Sequence, residues 1–98
     1  MYLKIHDIPM QGKIVAICDR ELMNTTITST TYGDITINSD FYGNTLHTKE
    51  EVIDALLKIN NANIIGKRAC NLVISEGIVS KDSCIFIGDI PHIQIYGF

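Results

Sequence analysis

Residues 48–77 read TKEEVIDALLKINNANIIGKRACNLVISEG, and the fold turns on how this stretch is divided. It opens with a capping box. The Thr48 hydroxyl is set to accept from the N–H of Glu51 while the Glu51 carboxylate reaches back to the N–H of Thr48, so a helix starts there. Val52, Ile53, Leu56 and Leu57 recur at helical spacing as its apolar stripe, and Asn60-Asn61 stops it. A second helix is expected from about residue 63 to residue 76, burying Ile65, Ala69, Leu72 and Val73. Gly77 suits the left-handed position past its end, and Ile78 the hydrophobic contact of a Schellman motif.

Strands flank this helical centre. Tyr2 to His6 alternates, with Leu3 and Ile5 on one face, until Pro9, Gln11 and Gly12 turn the chain. Lys13 to Cys18 is apolar on both faces, as a central strand covered on both sides requires. Asp19 is expected to cap a short helical turn over residues 20–23, its carboxylate taking an orphan N–H. The threonine-rich run after it reads equally as an edge strand or a loop, so the course of residues 24–33 stays open. Ile35 and Ile37 resume alternation, and residues 39–44 form an aromatic turn.

Cys84 to Ile87 reads as a strand, and the closing GDIPHIQIYGF (residues 88–98) as a turn at Gly88-Asp89 followed by an edge or terminal strand. Pro91 has no N–H to give a ladder, and Ile93 and Ile95 face away from His92, Gln94 and Tyr96. Strands, two helices, then strands predict a single α+β domain over residues 1–98. Its sheet is largely antiparallel or mixed, with two α-helices packed on one face.

At 98 residues and a net charge of −3, the chain is long enough to bury a core without disulfides or metal and lacks the basic excess of a dedicated duplex binder. Cys18, Cys70 and Cys84 are odd in number and widely spaced, unlike zinc ligands, so no metal and no cofactor is expected and the compartment reads as reducing and cytoplasmic. No stretch approaches a membrane span.

Four groups of residues carry chemistry. His92 and Gln94, two apart on one strand face, can jointly hydrogen-bond a ligand or a base edge, or simply bridge loops. Cys18 and Asp19 at a strand end form a nucleophile site if His92 activates the thiol; otherwise Cys18 is a buried packing residue. Cys70 in a helix and Cys84 in a strand read as packing residues. Asn63 to Arg68, with Gly66, Lys67 and Arg68 at a helix start, has the composition of an anion or phosphate site, against a solvated first turn. It is not a Walker A loop, since Asn61 and Arg68 stand where glycine and Ser or Thr are needed. In Phe41-Tyr42-Gly43, Tyr42 stacks on a base or anchors a turn. The carboxylates form no recognisable catalytic pair.

VAICD (residues 15–19), Glu21-Leu22, Phe41-Tyr42-Gly43, NIIG (63–66), EGIV (76–79) and PHIQ (91–94) occur in this order. The series resembles a small archaeal family known as a domain of unknown function, number 424, over nearly the whole chain. The resemblance implies an archaeal cytosolic protein with a place near the translation apparatus and brings no activity. Met23-Asn24 departs from the family's ELLG pattern.

The residues together favour a non-catalytic binding module whose surface joins Asn63, Gly66, Lys67 and Arg68 with Tyr42, His92 and Gln94, and whose partner is RNA or a ribosomal component. The competing expectations are a small hydrolase or transferase using Cys18, Asp19 and His92, and a structural subunit forming a homo-oligomer through an exposed edge strand.

Overall fold

The computed structural model describes residues 1–97, so that only Phe98 of the closing stretch lies outside the description. In chain order the elements are β1 (Tyr2–Ile8), β2 (Gly12–Cys18), a 3-10 turn (Arg20–Leu22), β3 (Thr26–Ser29), β4 (Gly33–Thr36), α1 (Ser39–Tyr42) and α2 (Lys49–Lys58). They continue with β5 (Asn61–Ile65), α3 (Lys67–Ser75), a second 3-10 turn (Lys81–Ser83), β6 (Cys84–Ile87) and β7 (Ile90–Ile95). Five strands form one mixed sheet in the order β1-β2-β5-β7-β6, parallel between β2 and β5 and antiparallel elsewhere. The fold is the α+β arrangement read from the sequence.

The two faces of the sheet are covered differently. Val15, Ile17, Ala62, Ile64 and Ile93 point to one side, where Val52 and Leu56 of α2 and Ala69, Cys70, Leu72 and Val73 of α3 close over them. On the other side Ala16, Cys18, Ile65 and Ile87 pack against Ile27 of β3, Ile37 and Tyr42. That is why Lys13 to Cys18 is apolar at successive positions: β2 is central and buried on both faces. Each fully buried Val or Ile contributes roughly 1.5–3 kcal/mol relative to exposure.

The capping box forms as read, with Glu51 N–H to Thr48 Oγ1 at 3.2 Å and Thr48 N–H to Glu51 Oε1 at 2.9 Å. The apolar stripe of α2 is narrower than expected, because Leu57 is 73% exposed. Past α3, Gly77 sits at φ 72, and the N–H groups of Ile78 and Gly77 bond the carbonyls of Val73 and Ile74, both at 3.0 Å. This is the expected Schellman closure.

The second helix begins four residues later than expected. Asn61 to Ile65 is strand β5, inserted between β2 and β7. Two β-branched isoleucines in succession favour a pleated strand, and Gly66 at φ 115 cannot extend a helix backwards. Ile65 is buried as expected, but from the sheet. The closing strand is also not an edge: β7 is flanked by β5 and β6, and β6 is the edge strand on that side of the sheet. The open segment after Asn24 is the β3-β4 hairpin, in which Ile27 pairs with Ile35 and Ser29 Oγ accepts the N–H groups of Thr31 and Tyr32.

Candidate functional site at the carboxyl ends of the parallel strands

β2 and β5 run parallel, and the residues that leave their carboxyl ends, Asp19 and Gly66, meet. Asp19 N–H bonds the Ile65 carbonyl at 3.1 Å, and Gly66 N–H bonds the Pro91 carbonyl at 2.9 Å. The Asp19 side chain, 3% exposed, accepts the N–H of Arg68 at 2.9 Å and of Ala69 at 2.8 Å. It therefore caps α3, whereas the 3-10 turn after it receives no side-chain cap. The expectation that Asp19 caps residues 20–23 is corrected by a partner about fifty positions away. A Cβ on Gly66 would collide with this carboxylate. VAICD, NIIG and PHIQ thus join at one place.

The helix start read as an anion site already holds an anion, the chain's own Asp19. What remains open to a ligand there is side-chain charge. Lys67 and Arg68 are exposed, and Arg68 pairs with Glu21 at 3.3 Å, both partners mostly exposed. Such a pair is worth about 0–1 kcal/mol and yields readily to a stronger anion. Arg68 also shares a cavity of about 360 Å³ with Arg20, Lys49, His47, Leu46 and Met1. Three cationic side chains from three separate segments converge there. Arg20, Lys49 and Arg68 are not visible as a group in the sequence, since no local spacing connects them.

His47 also lines a neighbouring recess with Lys4, Asp40 and Gly43. Beyond it Phe41, 37% exposed, stacks on His6 with centroids 4.8 Å apart, and His6 Nε2 meets the Phe41 carbonyl at 2.7 Å. Tyr42, read either as a stacking ring or as a ring folded inward to anchor a turn, is buried. Its hydroxyl donates to Asn63 Oδ1 at 2.7 Å, and Asn63 Nδ2 donates to Gln94 Oε1 at 3.0 Å. Burial, with Cys18 nearby, pushes the Tyr42 hydroxyl pKa well above its ordinary value. Tyr42, Asn63 and Gln94 are thus brought together, as an internal polar chain, apart from the Gly66 to Arg68 surface.

Cys18 and His92 are not brought together. Cys18 pairs with Ile65, and Ile65 with His92, so an isoleucine strand stands between them. Two strand spacings amount to roughly 10 Å, beyond proton transfer. Cys18 is fully buried, and burial, followed by the charge of Asp19, raises its thiol to about 12, the reverse of an activated nucleophile. Burial lowers the His92 pKa, and its Nδ1 has no hydrogen-bond partner among the described residues.

A family model described as "Protein of unknown function (DUF424)" matches residues 6–98. A crystal structure of an uncharacterized conserved protein from Methanopyrus kandleri superposes with a TM-score of 0.78 at 23% identity, covering 97% of this chain and 89% of that one. That likeness concerns the fold. No curated protein matches the sequence. No helix among the described residues is long and apolar enough to cross a membrane.

Proposed function

The chain belongs to the DUF424 family, whose function is unknown, and we propose from its own residues that it is a non-catalytic module that binds single-stranded RNA. The observation that carries this reading is the convergence of Arg20, Lys49 and Arg68 on one cavity in a chain of net charge −3. Like charges gather against their mutual repulsion where they serve an anion, and a phosphodiester backbone rewards such a cluster by releasing its counterions. The neighbouring recess shares His47 with this cavity and is lined by Asp40, and Phe41, the next residue, stacked on His6, adds an exposed ring, on which a base stacks without sequence preference. Lys67 and Arg68 extend the charge along the start of α3.

The test is RNA binding by fluorescence anisotropy across a salt series. Single-stranded RNA binds the parent chain with an affinity that falls as salt rises. The triple variant Arg20→Ala, Lys49→Ala, Arg68→Ala lowers the slope of log K against log salt by about 0.7 for each phosphate that is no longer neutralised. An unchanged slope in a folded triple variant removes the reading.

A second reading, self-association, is favoured by edge strand β6, where Ile85 and Phe86 are 44% and 61% exposed. An unpaired apolar edge is a template for another strand. Sedimentation of the parent chain and of Phe86→Lys distinguishes a dimer that dissociates in the variant from a monomer unaffected by it.

A further inference from the structure

We propose that Cys70 and Cys84 are a redox-active thiol pair that closes into an intramolecular disulfide, tying α3 to the edge strand β6. Both cysteines line one cavity of about 270 Å³ between α3 and the β6-β7 hairpin, together with Lys67, Lys81, Phe86 and Pro91. Cys84, first in β6, stands opposite Ile93, and Cys70 Sγ lies 3.4 Å from the carbonyl oxygen of Pro91, two residues along the same strand. Both pack against the helix-side core. Their wide separation in sequence hides this neighbourhood.

The two thiols have unequal access. Cys70 is 1% exposed, whereas Cys84 is only partly buried. Cys84 is therefore the sulfur that meets an oxidant, and Cys70 the one that resolves the product. Lys67 and Lys81 on the cavity wall attract an oxidant that carries carboxylates. β6 is four residues long and hydrogen-bonded to the sheet on one side only, so it is the element free to shift until the sulfurs reach bonding geometry.

The oxidant is a small anionic disulfide such as oxidised glutathione. The Cys84 thiolate attacks one of its sulfurs, forming a mixed disulfide and releasing one glutathione thiolate. Cys70, after losing its proton to solvent, attacks the Cys84 sulfur, breaks the mixed bond and releases the second. Two protein thiols are thereby oxidised by two electrons, one small disulfide is reduced to two thiols, and the two protons end on the released thiolates. Burial, with Cys84 adding to it, pushes the Cys70 thiol up to about 12, so the closing step quickens as pH rises.

The experiment incubates the folded full chain with oxidised glutathione, then counts free thiols and maps them by peptide mass. Three free thiols fall to one, located at Cys18, with a loss of two hydrogens and no retained glutathione. Cys84→Ser prevents the change, Cys70→Ser leaves a stable glutathione adduct at Cys84, and Cys18→Ser oxidises like the parent. A persistent adduct at Cys84 in the parent chain, a disulfide-linked dimer, a bond to Cys18, or no loss of thiols each overturns the proposal. The parent chain alone decides the matter, even where a variant fails to fold.

Discussion

The carboxylate of Asp19 occupies the space that a side chain on Gly66 would fill. The two residues leave the ends of adjacent parallel strands, and their contact lets one buried side chain close the N-terminus of α3 through the N–H groups of Arg68 and Ala69. Strand β2, strand β5 and helix α3 are thereby fixed to one another at a single point. The exposed cations of the proposed RNA surface are placed from that point, since Arg20 follows Asp19 and Arg68 follows Gly66 by two positions.

Asp19→Ala removes both bonds of the cap and leaves the part-buried N–H of Arg68 and the buried N–H of Ala69 unpaired. It is expected to destabilise the chain by about 2–4 kcal/mol, and Asp19→Asn, which retains one acceptor oxygen, by about 1–2 kcal/mol. Urea unfolding followed by circular dichroism measures both. Equal midpoints for Asp19→Ala and the parent would show that the cap contributes nothing.

Gly66→Ala faces two costs, a φ of 115 and the collision with Asp19, together about 2–4 kcal/mol. Because Asp19→Ala removes the obstacle, the double variant is expected to lose less stability than the sum of the single losses. Strict additivity in the same unfolding measurement would mean that the contact does not exist in solution.

What local chemistry determines is legible in the sequence. The capping box at Thr48 and Glu51, the Schellman closure at Gly77 and the two-sided burial of β2 each depend on residues a few positions apart. Residues 63–65 read as the start of a helix because their apolar positions continue the periodicity of α3, and the gap between β2 and β7 that draws them into a strand has no local trace. Asp19 matches the nearer turn on paper because a carboxylate's reach in space has no trace in sequence distance. The cationic cavity is hidden for the same reason, its members arriving from the end of β2 and from the starts of α2 and α3.

Tyr42, Asn63 and Gln94 form a chain in which each side-chain amide serves its neighbour. Tyr42→Phe leaves Asn63 Oδ1 without its donor and is expected to cost about 1 kcal/mol, whereas Asn63→Ala strands both outer members and costs about 2–3 kcal/mol. The two changes share a bond, so a double-mutant cycle should return a coupling of about 0.5–1 kcal/mol. If the coupling is zero, the hydroxyl bonds solvent instead.

Cys18 tests the catalytic alternative directly. A fully buried thiol raised to about 12 offers almost no thiolate at neutral pH, so iodoacetamide should modify Cys18 as slowly as the equally buried Cys70, at a rate set by opening of the fold. Cys84, partly exposed, should react first. Rapid alkylation of Cys18 in the folded chain would restore a nucleophile to consideration.

His92 gives the fold a pH dependence of known sign. Burial lowers its pKa below the ordinary value of 6.5, so near and below that value the unfolded chain binds a proton that the folded chain resists. The neutral imidazole is compatible with the fold at higher pH, and stability is lost as pH falls through about 6.5, with a slope from this one group of at most about 1.4 kcal/mol per pH unit. The protonated ring carries an N–H on both nitrogens, and at Nδ1, buried without a partner among the described residues, no acceptor receives it. His92→Gln retains a polar side chain on the same strand face and abolishes the titration, so its unfolding free energy between pH 7 and pH 5 should fall less than that of the parent. Parallel pH profiles for the two chains would assign the acid sensitivity to other groups.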